Sequence, residues 1–175
     1  MAAIYACSVV ALFSSSAAYH RGRWNPRARS WLKRLDHSMI YVLIAGSYTP
    51  FCALTIGGTL GTVMLCVVWG GAALGLVLNF LPVDQPRWLE VAIYIGMGWV
   101  VVVAFPQIVD HLGVVATVLT ALGGLLYTGG AVVYGRKRPD PVPAVFGYHE
   151  VFHACTVVAA ALHYAVVAFW VIPGA

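Results

Sequence analysis

The chain has 175 residues, 61% of them hydrophobic and only 9% charged, with a formal net charge of +4. Soluble domains carry about 25% charged residues, and a chain of this length cannot hide so much apolar surface in a soluble core. Disorder and a nucleic-acid partner are excluded on the same composition, which leaves an all-α integral membrane protein built as one domain over residues 1–175.

A spanning helix needs about 20 mostly apolar residues. Six such stretches follow in chain order, near residues 2–19, 36–55, 59–80, 88–105, 112–134 and 146–171. The breaks carry turn chemistry: Gly57-Gly58, the segment from Pro82 to Pro86, Pro106 as a helix stop, and a linker stiffened by Pro139, Pro141 and Pro143. The apolar runs are continuous and lack the period-2 alternation of a membrane barrel. Residues 1–20 lack the basic lead-in of a signal peptide, since the cations follow the apolar run. Cys7, Cys52, Cys66 and Cys155 stand singly in apolar runs and read as small packed hydrophobes.

All Lys and Arg fall in the first, third and fifth predicted loops: Arg21, Arg23, Arg27, Arg29, Lys33 and Arg34, then Arg87, then Arg136, Lys137 and Arg138. The positive-inside rule makes those loops cytoplasmic, places the chain in the cell membrane, and puts both termini outside.

Four ionisable residues fall at membrane depth, where such groups are costly and point to function. His20 closes the first span, Asp36 opens the second, and His149 and His153 begin the last, all on the basic side. The i, i+4 spacing of His149 and His153 puts both imidazoles on one helix face, and two such nitrogens can share one metal ion. His20 is the candidate third ligand for Zn2+, which accepts histidine nitrogen and keeps a position for water in catalytic sites. Asp36 would bind the ion or hold its water, with Ser16, one turn before His20, in support. His149-Glu150-Val151-Phe152-His153 also fits the H-E-x-x-H protease motif. His37 is expected to face elsewhere or to support a ligand, His163 to sit at the outer interface, and Asp110 and His111 to lie in an outer loop.

The motifs Ser16-Ala17-Ala18-Tyr19-His20, Arg34-Leu35-Asp36-His37-Ser38-Met39-Ile40-Tyr41, Ile44-Ala45-Gly46-Ser47-Tyr48-Thr49-Pro50 and His149 to His153 span nearly the whole chain. Tyr94-Ile95-Gly96-Met97-Gly98-Trp99 and Tyr127-Thr128-Gly129-Gly130 support them. The sequence resembles the hemolysin III family, the bacterial branch of the progestin and adiponectin receptor (PAQR) superfamily. The resemblance implies a seven-helix bundle, of which this chain carries the equivalents of helices 2–7, so an upstream helix is expected. It implies zinc near the cytoplasmic face on His20, His149 and His153, with Asp36 holding water and Ser16 as the family's serine. The reading that follows is a zinc-dependent hydrolase acting on a lipid amide or ester, or a membrane-lipid homeostasis factor. A structural-zinc sensor, a cytolysin and an intramembrane protease are the alternatives; the partners are membrane lipids and a small lipid-like substrate.

Segregation of the cations predicts that residues 21–34 and 135–145 face the cytoplasm, while 56–60 and 106–111 face outside. Single-cysteine variants labelled in intact cells check this. An impermeant reagent should modify the second pair of segments, and modification of 21–34 would contradict the assignment.

Overall fold

The computed structural model describes residues 1–81 and 86–174. Among the described residues there are helices and no strand, an isolated bridge between Val142 and Phe146 aside. The helices are α1 (Ala2–Arg21), α2 (Pro26–Pro50), α3 (Gly58–Phe80), α4 (Arg87–Trp99), α5 (Phe105–Arg136) and α6 (Tyr148–Val166). Two of them widen into π-helical ends, α2 over Phe51–Ile56 and α6 over Val167–Val171, and Val100–Ala104 tightens into a 3-10 segment between α4 and α5.

Five helical stretches among the described residues are long and apolar enough to cross a membrane, one fewer than the sequence reading divides out. The difference lies in Arg87–Arg136, which forms one assigned stretch. Pro106 does not stop a helix. It sits in the first turn of α5, where a missing N–H costs nothing. The backbone leaves helical geometry at Gly113 instead, with φ 79° and ψ 173°, a region open to glycine and strained for any L side chain. Side-chain contacts show what this does. The Arg87 guanidinium lies over the Tyr134 ring at 4.9 Å, and Trp99 donates to Thr128 Oγ1 at 3.1 Å. Residues on either side of Gly113 therefore lie beside one another, antiparallel.

The first loop is shorter than expected. Asn25 accepts a hydrogen bond from the Ala28 amide at 2.8 Å with Pro26 next to it, an N-cap with proline at the first helical position. Arg27, Arg29, Lys33 and Arg34 thus ride on the first turns of α2, and Asp36 lies within that helix rather than opening it. Asp110 and His111 are likewise helical, in α5, where His111 Nδ1–H donates to the Gln107 carbonyl at 2.8 Å. The Gly57-Gly58 turn is present, both residues having positive φ. Pro82 and the rest of its turn up to residue 85 lie outside the described residues.

α2 is the central helix, packed against α1, α3 and α4. Between lipid-soluble helices the driving force is close packing rather than exclusion of water, so small residues mark the contacts. A Cβ on Gly46 would meet Ser8 Oγ of α1 at 2.3 Å, and one on Gly75 of α3 would meet the Tyr41 ring at 2.6 Å. Polar links lock the same helices: Asn79 Nδ2 donates to Ser38 Oγ at 3.2 Å, and the Tyr94 hydroxyl donates to the His37 carbonyl at 3.0 Å. Arg34 reaches across to the Phe80 and Leu81 carbonyls that end α3, and Arg29 lies over Tyr19. These contacts gather the basic segments at one end of the bundle.

Candidate metal centre

At that basic end α1 finishes and α6 begins. His20 lies in the last turn of α1, and His149 and His153 in the first turns of α6. α6 starts where it does because Glu150 accepts from the Gly147 amide at 2.9 Å and Asp140 accepts from the Tyr148 amide at 2.8 Å. Two carboxylates thereby satisfy N–H groups that a helix start leaves unpaired. Glu150 is exposed and occupied in this cap, which removes it from the protease role that H-E-x-x-H would give it.

The three imidazoles turn their Nε2 atoms towards one another. His149 Nε2 stands 3.4 Å from His20 Nε2 and 3.1 Å from His153 Nε2, and the three ligand atoms all lie within 4.8 Å of each other. Nitrogens bound tetrahedrally at 2.0–2.1 Å from a zinc ion would be about 3.3 Å apart. The donor set fits a metal chemically as well, since neutral imidazoles facing nitrogen to nitrogen bring lone pairs together and a cation relieves that. The cluster can hold a metal ion.

Asp36 is buried, with Oδ2 3.8 Å from His20 Nε2 and 4.0 Å from His37 Nδ1. Ser16, Asp36, His149 and His153 line one small cavity of about 40 Å³. The five residues assigned to the site from the sequence are thus brought to one place by α1, α2 and α6.

His37 does not face elsewhere. It is buried beside the cluster, its Nδ1–H donating to the Lys33 carbonyl at 2.8 Å while Nε2 accepts from the Tyr134 hydroxyl at 2.9 Å. Those partners fix it as a neutral positioning group between α2 and α5. Tyr134 is the site residue that sequence reasoning missed. Its ring lies 5.9 Å from that of His149 and 5.2 Å from Phe152, with Arg87 over its face. No motif marks it, because its role depends on α5 returning beside α6. His163 departs from expectation: it packs from α6 onto α5, with Nε2–H donating to the Thr120 carbonyl at 3.1 Å, rather than standing at an outer interface.

A cluster of three histidines with a buried carboxylate beside it, at one end of a bundle of membrane-length helices, defines a membrane protein with a metal-capable site. The Haemolysin-III related family model matches residues 1–164. The chain is 34% identical over 151 residues to the Hemolysin-3 homolog of Bacillus subtilis, covering 86% of this chain and 68% of that protein. It is 32% identical over 173 residues to Hemolysin-3 of Bacillus cereus, covering 98% of this chain and 75% of that one. The human Monocyte to macrophage differentiation factor, a PAQR-type protein, is 31% identical over 170 residues, covering 92% and 66%. The chain belongs to the hemolysin III family.

Tyr134→Phe removes the only donor to His37 Nε2 among the described residues and leaves that nitrogen buried without a partner. This should cost about 1–3 kcal/mol of stability, read as a lower thermal midpoint in detergent with the same metal content. An unchanged midpoint would show that the His37–Tyr134 bond carries no load.

Proposed function

We propose that the protein is a membrane-embedded zinc hydrolase that cleaves an amide or ester bond in a lipid. The observation that carries this is a second cavity, of about 210 Å³ and with a mostly apolar wall surface, which adjoins the small cavity at Asp36, His149 and His153. Leu12, Ile40, Tyr94, Ala131, Phe152 and Thr156 wall both it and the small cavity at Asp36. A site for a single polar bond thus opens onto a compartment suited to a hydrocarbon chain.

His20, His149 and His153 would hold the ion. Zinc in such a set supplies Lewis acidity for polarising a carbonyl or activating water. The chain's own residues do the rest. Asp36, buried and held beside His20, is placed to take a proton at a carboxylate oxygen and to return it to the leaving group. Ser16 lines the same cavity, one turn from His20, and supplies a hydroxyl that orients the carboxylate. His37, held by Lys33 and Tyr134, keeps the start of α2 in register. The apolar walls exclude bulk water, which strengthens each of these interactions.

The same reading assigns six crossings, with Arg87 to residue 112 and residues 114–136 as separate antiparallel legs. It makes the basic end cytoplasmic by the positive-inside rule, with the C-terminus outside. A purely structural metal site is the competing reading, and it gives neither Asp36 nor the apolar cavity a use.

Asp36→Asn separates the two, because asparagine keeps the shape and a hydrogen bond but cannot take a proton. With zinc-loaded protein and a ceramide-type amide or long-chain ester in mixed micelles, the variant should keep most of its metal. Its turnover should fall by about a hundredfold or more. Unchanged turnover in Asp36→Asn, or no hydrolysis of either lipid class by the zinc-loaded parent, would overturn the hydrolase reading.

A further inference from the structure

The large cavity has a polar end of its own, away from the histidine cluster. Most polar side chains that line it are satisfied within the bundle. Ser47, Thr120, Thr128 and Thr156 each donate to the carbonyl one turn back, at 2.8 to 2.9 Å. The Tyr48 hydroxyl donates to Gly98 and accepts from the Val101 amide, and Tyr94 donates to His37. Two groups stand apart. The Tyr127 hydroxyl has no hydrogen-bond partner among the described residues, and neither does Nδ1 of His163.

These two are a built pair. Their rings are 5.5 Å apart in an edge-on arrangement. The His163 imidazole lies directly on Gly123, where a Cβ would come within 2.5 Å of the ring, so glycine at that position makes its seat. The Nε2–H bond to the Thr120 carbonyl settles the tautomer and leaves Nδ1 as a lone-pair acceptor. Tyr127, whose ring is in contact with this imidazole, carries an O–H donor. An acceptor and a donor, carried by two rings in contact on the wall of one cavity, can between them serve the two hydrogen-bonding functions of a hydroxyl group. His163 stands ten residues beyond His153 on α6, about 15 Å along the helix axis.

We propose that His163 and Tyr127 form a second recognition point in the cavity, selecting a lipid chain that carries a hydroxyl about 15 Å from the group held at the histidine cluster. This rests on the reading of the cavity as a lipid compartment and narrows the substrate to a hydroxylated chain. A methyl-terminated chain reaching that depth would leave both polar groups buried and unpaired, and sites built for a hydroxyl reject analogues that lack it for this reason.

Binding tests the proposal without needing turnover. Full-length, zinc-loaded protein in detergent is titrated with lauric acid and with ω-hydroxylauric acid, whose chain length is of the required order. The parent should bind the hydroxylated chain about tenfold or more tightly. Tyr127→Phe, which removes one oxygen, should shrink that preference several-fold, and His163→Phe should abolish it or favour lauric acid. Equal binding of the two acids by the parent, or an unchanged preference in Tyr127→Phe, would overturn the second recognition point while leaving the lipid compartment standing. Binding of neither acid would overturn both.

Discussion

The structure turns on the convergence of three imidazole nitrogens on one point. Nothing local brings them there. His20 ends one helix and His149 begins another, so their meeting at 3.4 Å requires the last turn of α1 and the first turn of α6 to come together at one end of the bundle. In a bilayer, where helices gain little from hiding apolar surface from each other, that alignment has to come from shape and from polar contacts. The Gly46–Ser8 approach sets α1 against α2, and the carboxylates of Asp140 and Glu150 fix where α6 starts. A bound ion would tie the same ends together, because ligands distant in sequence cross-link the helices that carry them.

Around that point the bundle shows two kinds of interior. At the basic end the side chains are polar and interlinked: Asp36 beside His20, His37 between Lys33 and Tyr134, and Arg87 over the Tyr134 ring. Further in, the wall surface becomes mostly apolar, and the serine and threonine hydroxyls that line it are turned back onto their own helices. The arrangement separates a small polar cavity from a larger, mostly apolar one, with shared walls between them. The α2 stretch is the most buried of the membrane-length helices among the described residues, and it contributes Asp36 and His37 to one cavity and Ile40, Leu43 and Ile44 to the other.

Much of this was legible in the chain because charge in a membrane is expensive. His20, Asp36, His149 and His153 stood out at matched depth, and the i, i+4 spacing of the last pair announced a shared face. The supporting residues carried no such mark. Tyr134 and Arg87 are ordinary at their positions until α5 is known to fold back beside α4, and that reversal is set by the backbone of Gly113, one of 18 glycines. Pro106 looked the better break by residue type alone, yet proline is at home in a first turn. The basic run from Arg27 to Arg34 read as loop because its charge masked a helix, which the structure starts at the Asn25-Pro26 cap. His163 was misplaced for a different reason: position along a helix gives depth but does not show which neighbour a side chain faces.

The central claim is that His20, His149 and His153 together hold a metal ion. Elemental analysis of gently purified protein, alongside the His149→Ala, His153→Ala double variant, tests it most directly. The parent chain should carry about one zinc ion, with most of it lost in the double variant along with thermal stability. Parent protein that binds no metal even when zinc is supplied, or a double variant that keeps its zinc, would contradict it.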